Sequence, residues 1–324
     1  MTDDIQYWIK VAQYTGASVS MGLGAIGAAI GEGHTAATAN MAISRNPERG
    51  GEIFKNMLVG QAVAESAAIF SLVIAMVLLF SGEPLMKPIT IWAFLGAGLC
   101  MGFGAIGSGI GAGYPGASAC EGMARQPEAG RRLTTAMLIG SAVSQTTSIY
   151  ALVIALILIF FDFSNMPFAP TWAALLGAGL STGIAAFGPA IGEGLVAAAC
   201  CEGIARNPSS ATEVTNIMLL GQAVTETTGI YGLLVSFILL FKSFVPTDAL
   251  APAFALLSAG ICMGLGAIGP GIGEGFTAKS TVSWIARNSS SRAELVRTML
   301  VGQAVSESTG IYSFVIALIL IFVI

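Results

Sequence analysis

The sequence predicts an all-α membrane protein of eight transmembrane helices in four tandem hairpins. Three observations lead there. The mean hydropathy is +0.80, and only 10% of the 324 residues are charged, against about 25% in an ordinary soluble chain. Apolar segments recur in pairs, each longer than the ~20 residues a helix needs to cross ~30 Å of hydrocarbon. One stretch is written four times, centred on positions 65, 145, 226 and 307 at spacings of 80, 81 and 81 residues. Strands are excluded, because an open sheet edge cannot sit in lipid.

The units run over residues 1–84, 85–165, 166–246 and 247–324, the first with an N-terminal interfacial segment. That segment is acidic (Asp3, Asp4), unlike a signal peptide, and Tyr7 and Trp8 suit a membrane–water interface. Within unit 1 the first span, roughly 17–43, carries Gly22, Gly24, Gly27, Gly31 and Gly33. The second, roughly 53–80, is rich in Leu, Val and Ile. Glycine faces permit close helix contact and bulky apolar faces suit lipid. The expected result is a curved, two-layer array with glycine helices inside. Pro115, Pro189 and Pro270 are expected to kink the inner helices.

Short polar turns close the hairpins: Arg45-Asn46-Pro47, Arg125-Gln126-Pro127, Arg206-Asn207-Pro208 and Arg287-Asn288-Ser289. The links between hairpins have breakers of their own: Ser81 to Pro84, Pro167 with Pro170, and Pro246 with Pro252. Ten Lys and Arg lie on the turn side and three on the link side (Lys10, Lys87, Lys242), which puts the turns in the cytoplasm.

Several residue types carry no chemistry here. Cys100, Cys120, Cys200, Cys201 and Cys262 lack C-x-x-C spacing and read as small apolar packers. His34 has Tyr114, Leu195 and Phe276 at its repeat positions, so a ligand role is not expected. Gly22-x-Gly24-x-x-Gly27 matches a dinucleotide fingerprint, but that motif needs a preceding strand and an exposed loop. The net charge of −4 gives no reason to expect nucleic acid as a partner. No cofactor is expected. With no soluble domain and no nucleophile–base set, the chain is not an enzyme on its own.

The chemistry sits in the spans. Glu32 lies 13 residues before Arg45, and Glu65 lies 14 residues after Gly51. At 1.5 Å per residue both reach roughly 20 Å from the turn, close to mid-membrane. Each hairpin thus brings two carboxyl groups to one level: Glu32 with Glu65, Glu193 with Glu226, Glu274 with Glu307. Unit 2 has Ala112 and Gln145 instead. A charge at that depth costs from about 3 to 17 kcal/mol, depending on reference state. A neutral side chain would cement helices for less, so acids there indicate ion handling. Two carboxyls that close in low dielectric resist carrying two charges at once, which suits one proton or one monovalent cation.

Sodium is a hard ion that wants several oxygens, by analogy with better-catalogued hard cations. Unit 4 offers Glu274, Glu307, the Ser308 hydroxyl, the Val305 carbonyl and Thr309 for an ordered water, with Tyr312 as a donor to the carboxylate. Unit 3 repeats the set as Glu193, Glu226, Thr227, Val224, Thr228 and Tyr231. Unit 1 has Glu32, Glu65, Ser66 and Val63, but Ala67 and Phe70 replace Thr and Tyr, so its site is expected to be weaker. Gln61, Gln222 and Gln303, with Ser141 in unit 2, read as interhelical hydrogen bonders.

With these residues in place the sequence resembles the c-subunits of rotary ATP synthases, the proteolipids that form the membrane ring, across nearly the whole chain. The motifs that carry the resemblance are Gly269-Pro-Gly-Ile-Gly-Glu-Gly275, the Ala-Arg-Asn/Gln-Pro turn, and Gly302-Gln-Ala-Val-Ser-Glu-Ser-Thr-Gly-Ile-Tyr312. Turn and outer glutamate are F-type-like, and Glu-Ser-Thr-x-x-Tyr resembles sodium-coupled members. The resemblance implies a ring of further copies, or of other c-subunits, in membrane lipid. It implies a stator, the a-subunit, whose arginine displaces the ion, and central-stalk subunits at the cytoplasmic turns. It implies transport of Na+, alternatively H+, coupled to ATP synthesis or hydrolysis in a bacterial or archaeal plasma membrane. A V/A-type proteolipid and a free-standing channel are the other readings. The resemblance also implies sites between neighbouring hairpins, drawing the inner-helix ligand and the outer acid from different units. Ala112 would then deprive a neighbour's glutamate of its partner. The sequence departs from the common pattern in fusing four hairpins and in losing one working acid.

Overall fold

The computed structural model describes residues 2–81 and 87–323. The first link after Ser81, and the boundary between units 1 and 2 within it, lie outside the described residues. Among the described residues the chain is mostly helical, without strands. Hairpin 1 is α1 (Thr2–Arg45) and α2 (Gly50–Phe80). Hairpin 2 is α3 (Ile89–Arg125) with α4 (Gly130–Ser144) and α5 (Thr146–Phe160). Hairpin 3 is α6 (Phe168–Ala185) and α7 (Phe187–Arg206), then α8 (Ala211–Thr225) and α9 (Thr227–Phe241). Hairpin 4 is α10 (Leu250–Ile285) and α11 (Arg292–Phe322).

Seven segments among the described residues are long and apolar enough to cross a membrane, not eight. The missing one is α1, the longest helix at 44 residues. Gly, Ala, Ser and Thr fill much of its span, which has only Leu23, Ile26, Ile30 and Ile43 of those two types and includes Glu32, His34 and Asn40. The helix runs back to Thr2, with Tyr7 and Trp8 exposed edge to face at 5.7 Å.

Each turn is one short 3₁₀ segment, such as Pro47–Arg49, with proline at its first position in three of the four. Proline fits there because it has no N–H to leave unpaired and its φ is already set. Of the three inner prolines only Pro189 stands beside an interruption, at Ala186 between α6 and α7. Helices α3 and α10 run unbroken through Pro115 and Pro270. In the second link Asp162 accepts from the Ser164 N–H at 2.8 Å. The Ser164 hydroxyl and this N–H hold its carboxyl below the usual carboxylate range.

The glycine-rich helices α1, α3, α6–α7 and α10 pack on one another in chain order. The Leu- and Ile-rich helices lie against them and scarcely touch each other. Leu72, Val73, Met76 and Leu79 of α2, and Val315, Ile316 and Ile319 of α11, stay exposed, as residues facing lipid should. The glycine contacts are backbone to backbone. A Cβ at Gly98 would lie 2.6 Å from Gly16 Cα, and one at Gly194 would lie 2.6 Å from Gly111 Cα. Since no side chain there can give way, Gly194→Ala should cost about 1–3 kcal/mol, the range for overpacking a tight core. It should lower the thermal midpoint of the detergent-purified protein, whereas Gly22→Ala, which meets open space, should not.

Candidate functional site

The outer helices loosen where the key residue stands: α4 gives way to α5 at Gln145, and α8 to α9 at Glu226. Just beyond each, a hydroxyl turns back on the carbonyl three residues earlier. Ser66 donates to Val63 O at 2.7 Å, Thr227 to Val224 O at 2.8 Å, and Ser308 to Val305 O at 2.7 Å. That local bond follows from Ser and Thr chemistry in a helix. It fixes a hydroxyl oxygen and a carbonyl oxygen side by side, both with lone pairs to spare.

The tyrosines do not bond the carboxylates of their own units. Tyr231 of hairpin 3 donates to Glu307 Oε1 of hairpin 4 at 2.5 Å. Tyr150 of hairpin 2 donates to Glu226 Oε1 of hairpin 3 at 2.5 Å. The expectation that Tyr231 and Tyr312 serve Glu226 and Glu307 is corrected, and helix geometry gives the reason. Five residues on is about 140° round the helix, so each tyrosine points away from its own glutamate and toward the next hairpin. Tyr312 is 65% exposed and has no carboxylate partner among the described residues.

Behind the outer acids stand the inner ones. Glu193 and Glu274 are fully buried, and neither carboxyl oxygen of either has a hydrogen-bond partner. Glu193 lies within electrostatic reach of Glu226, Glu274 of Glu307, and Glu32 of Glu65. Inner and outer acid of one hairpin are therefore neighbours. Thr228, in the same layer, is buried with its hydroxyl unpartnered. A buried polar group without a partner is costly. A layer holding five such oxygens is suited to a species that brings its own positive charge or proton.

The glutamines brace this layer. Gln222 Nε2 donates to Glu193 O and to Gly140 O of the preceding hairpin, both at 3.0 Å. Gln303 Nε2 donates to Glu274 O at 3.5 Å and to Gly221 O at 3.0 Å. Gln61 Nε2 reaches Glu32 O at 3.3 Å.

Hairpin 1 presents Glu65 at the surface with Glu32 half-buried behind it. On hairpin 4, Val305, Thr309 and Tyr312 are exposed and Ser308 half-buried. Ala112 and Gln145 are buried between hairpins, and Gln145 Nε2 donates to Val63 O of hairpin 1 at 3.2 Å. Sequence reasoning missed Tyr150 and, with it, the Val143, Thr146 and Thr147 set of hairpin 2. Thr146 makes the same bond to Val143 O, at 2.8 Å. The signal was there: the donor set of hairpin 2 matches those of hairpins 3 and 4 although its own acids are gone.

The family model for the ATP synthase C subunit matches the chain four times, over residues 15–78, 95–158, 176–239 and 257–320. The chain is 31% identical over 240 residues to the K subunit of the A-type ATP synthase of Methanocaldococcus jannaschii, an alignment covering 74% of this chain and all of that one. Over 66 residues, 20% of this chain, it is 58% identical to the ATP synthase c-subunits of Thermotoga maritima and of Petrotoga mobilis, covering 78% and 69% of those proteins. Four tandem matches spread over most of its length place this chain in the ATP synthase C-subunit family.

Proposed function

We propose that this chain is a rotor subunit of a rotary ATP synthase or ATPase, carrying Na+ on Glu65, Glu226 and Glu307. Its hairpins form an arc of a two-layer ring, glycine helices inside, completed by further copies. One observation carries the reading: the tyrosine-to-glutamate bond between hairpins, set against a buried acid with unpartnered oxygens. A carboxylate poised that way holds its ion between two hairpins and releases it when a competing charge arrives. The donors are carbonyl, hydroxyl and carboxyl oxygens, which suit a hard cation. For the seat at Glu307 they are Val224 O, Thr227, Thr228, Glu274 and Glu307 itself. An arginine of the stator is the natural competitor, because it stays protonated at all relevant pH.

The basic turns face the cytoplasm and meet the central stalk. There Arg45 pairs with Glu121 at 3.0 Å, and Arg132 donates to Pro208 O at 2.6 Å, each from one hairpin to the next.

Carbodiimide labelling of the intact complex tests the ion. Sodium at neutral pH should protect Glu226 and Glu307 from the reagent, site by site in peptide mass spectrometry. Labelling that ignores sodium and responds to pH alone would assign the rotor to protons.

A further inference from the structure

Two facts about hairpins 1 and 2 belong together. Hairpin 1 keeps Ser66 but lacks two further hydroxyls of its repeat, with Ala67 and Phe70 where hairpins 2 to 4 have Thr and Tyr. Hairpin 2 lacks the acids, with Ala112 and Gln145. Because each tyrosine serves the following hairpin, Phe70 occupies the register position that would serve position 145. The absent hydroxyls and the absent acids thus fall in the same interface. Gln145 fills it: its amide donates to Val63 O at 3.2 Å and Ser108 O at 3.3 Å, and its Oε1 accepts from Ser148 Oγ at 3.3 Å. The bond to Ser108 uses its main-chain carbonyl, whereas the Ser148 hydroxyl is particular to this hairpin. Proline and glycine stand at those positions in hairpins 3 and 4. The amide therefore has its partners inside this interface, whereas the outer acids of hairpins 3 and 4 hold one tyrosine hydroxyl each and the inner acids none.

We propose that the interface of hairpins 1 and 2 is a sealed blank seat, plugged by the Gln145 amide on the Val63 carbonyl that an ion would otherwise use. It follows that Glu32 and Glu65 are not poorly equipped. Their seat is completed by Val305, Ser308, Thr309 and Tyr312 of a second copy of this chain. The direction of the contacts supports this occupant. At every internal interface after the first, the later hairpin receives from, or reaches back to, the earlier one: Tyr150 to Glu226, Tyr231 to Glu307, Gln222 to Gly140 O, Gln303 to Gly221 O. Asn46 and Asn207 reach forward to Ala124 O and Ala286 O, at 3.2 and 3.3 Å. Among the described residues, the outward faces of hairpins 1 and 4 leave such partners unmet. Asn288 bonds its own Ser291, Tyr312 is exposed, and Glu65 stands at the opposite surface. Head-to-tail contact satisfies both faces, and repetition of it closes a ring.

This rests on the ion-carrying reading, but its test is separable from it. In the intact complex, carbodiimide labelling is followed at Glu65, Glu226 and Glu307 separately, at fixed pH. Tyr312→Phe should speed labelling of Glu65 about tenfold, the scale of one hydrogen bond to a charged group, and leave Glu226 and Glu307 unchanged. A change at Glu307, or none at Glu65, overturns the proposal. Labelling rates without sodium read this even if sodium protects no glutamate, the result that would sink the sodium reading alone. In an Ala112→Glu/Gln145→Glu background, adding Phe70→Tyr should slow labelling at position 145 and leave Glu65 unmoved. A shift at Glu65 instead would return Phe70 to the site of its own hairpin and overturn the proposal.

Discussion

Glu226→Gln combined with Glu307→Gln should abolish ATP-coupled ion transport, with a loss of at least ~100-fold in reconstituted vesicles. Under the rotor reading the stator arginine passes each seat by exchanging an ion for itself against a carboxylate. A glutamine cannot neutralise it, and a buried charge left without its partner costs about 3–5 kcal/mol, or roughly 10²–10⁴ in rate. The native chain tolerates one neutral seat, at Gln145, because acids flank it on both sides. The double variant puts three neutral seats in a row, at 145, 226 and 307. Each substitution removes a tyrosine-bonded carboxylate and little else, so the hairpins should still assemble. Transport at the native rate with both substitutions in place would end the carrier assignment.

How legible these seats were in the sequence differs from residue to residue. Glu32, Glu65, Glu193, Glu226, Glu274 and Glu307 stand out because hydropathy makes a mid-span acid conspicuous, and helical rise places it in depth. The hairpins are as plain, since Arg-Asn-Pro and its variants stop one apolar run and start another. Partners across an interface are a different matter. Glu307 and Tyr312 are neighbours in sequence, and proximity along the chain suggests a bond that helix rotation forbids. The true partner, Tyr231, lies 76 residues away and becomes its neighbour only when two hairpins dock. The same limit hid Tyr150, whose own hairpin has no acid and so looked inert. The loosening of the outer helices at Gln145 and Glu226 has no signal in those residues, for both favour a helix in isolation.

Rebuilding the blank seat should change the gearing of the machine. Ala112→Glu with Gln145→Glu, Phe70→Tyr and Ala67→Thr gives hairpin 2 the acids, and hairpin 1 the hydroxyls, that the other interfaces already have. A turn of the ring would then move four ions where it now moves three, whatever number of chains the ring contains. The work done on each ion scales with the membrane potential it crosses, about 2.3 kcal/mol per charge per 100 mV. The same ATP energy divided among four ions in place of three supports a gradient about three quarters as steep. Proteoliposomes energised with ATP should therefore reach a lower limiting ion gradient, and the ions moved per ATP should rise by about a third. Gln145→Glu alone should not achieve this. Its carboxylate would face Val63 O without the amide's N–H, without a tyrosine from hairpin 1 and without an inner acid beside it. That variant should lose rate, not gain stoichiometry, because an unpaired buried carboxylate resists ionisation and leaves the seat idle. If the fourfold variant pumps to the native limit, the sealed seat sets no gear ratio. The lost acids would then have to be explained by the packing of hairpins 1 and 2.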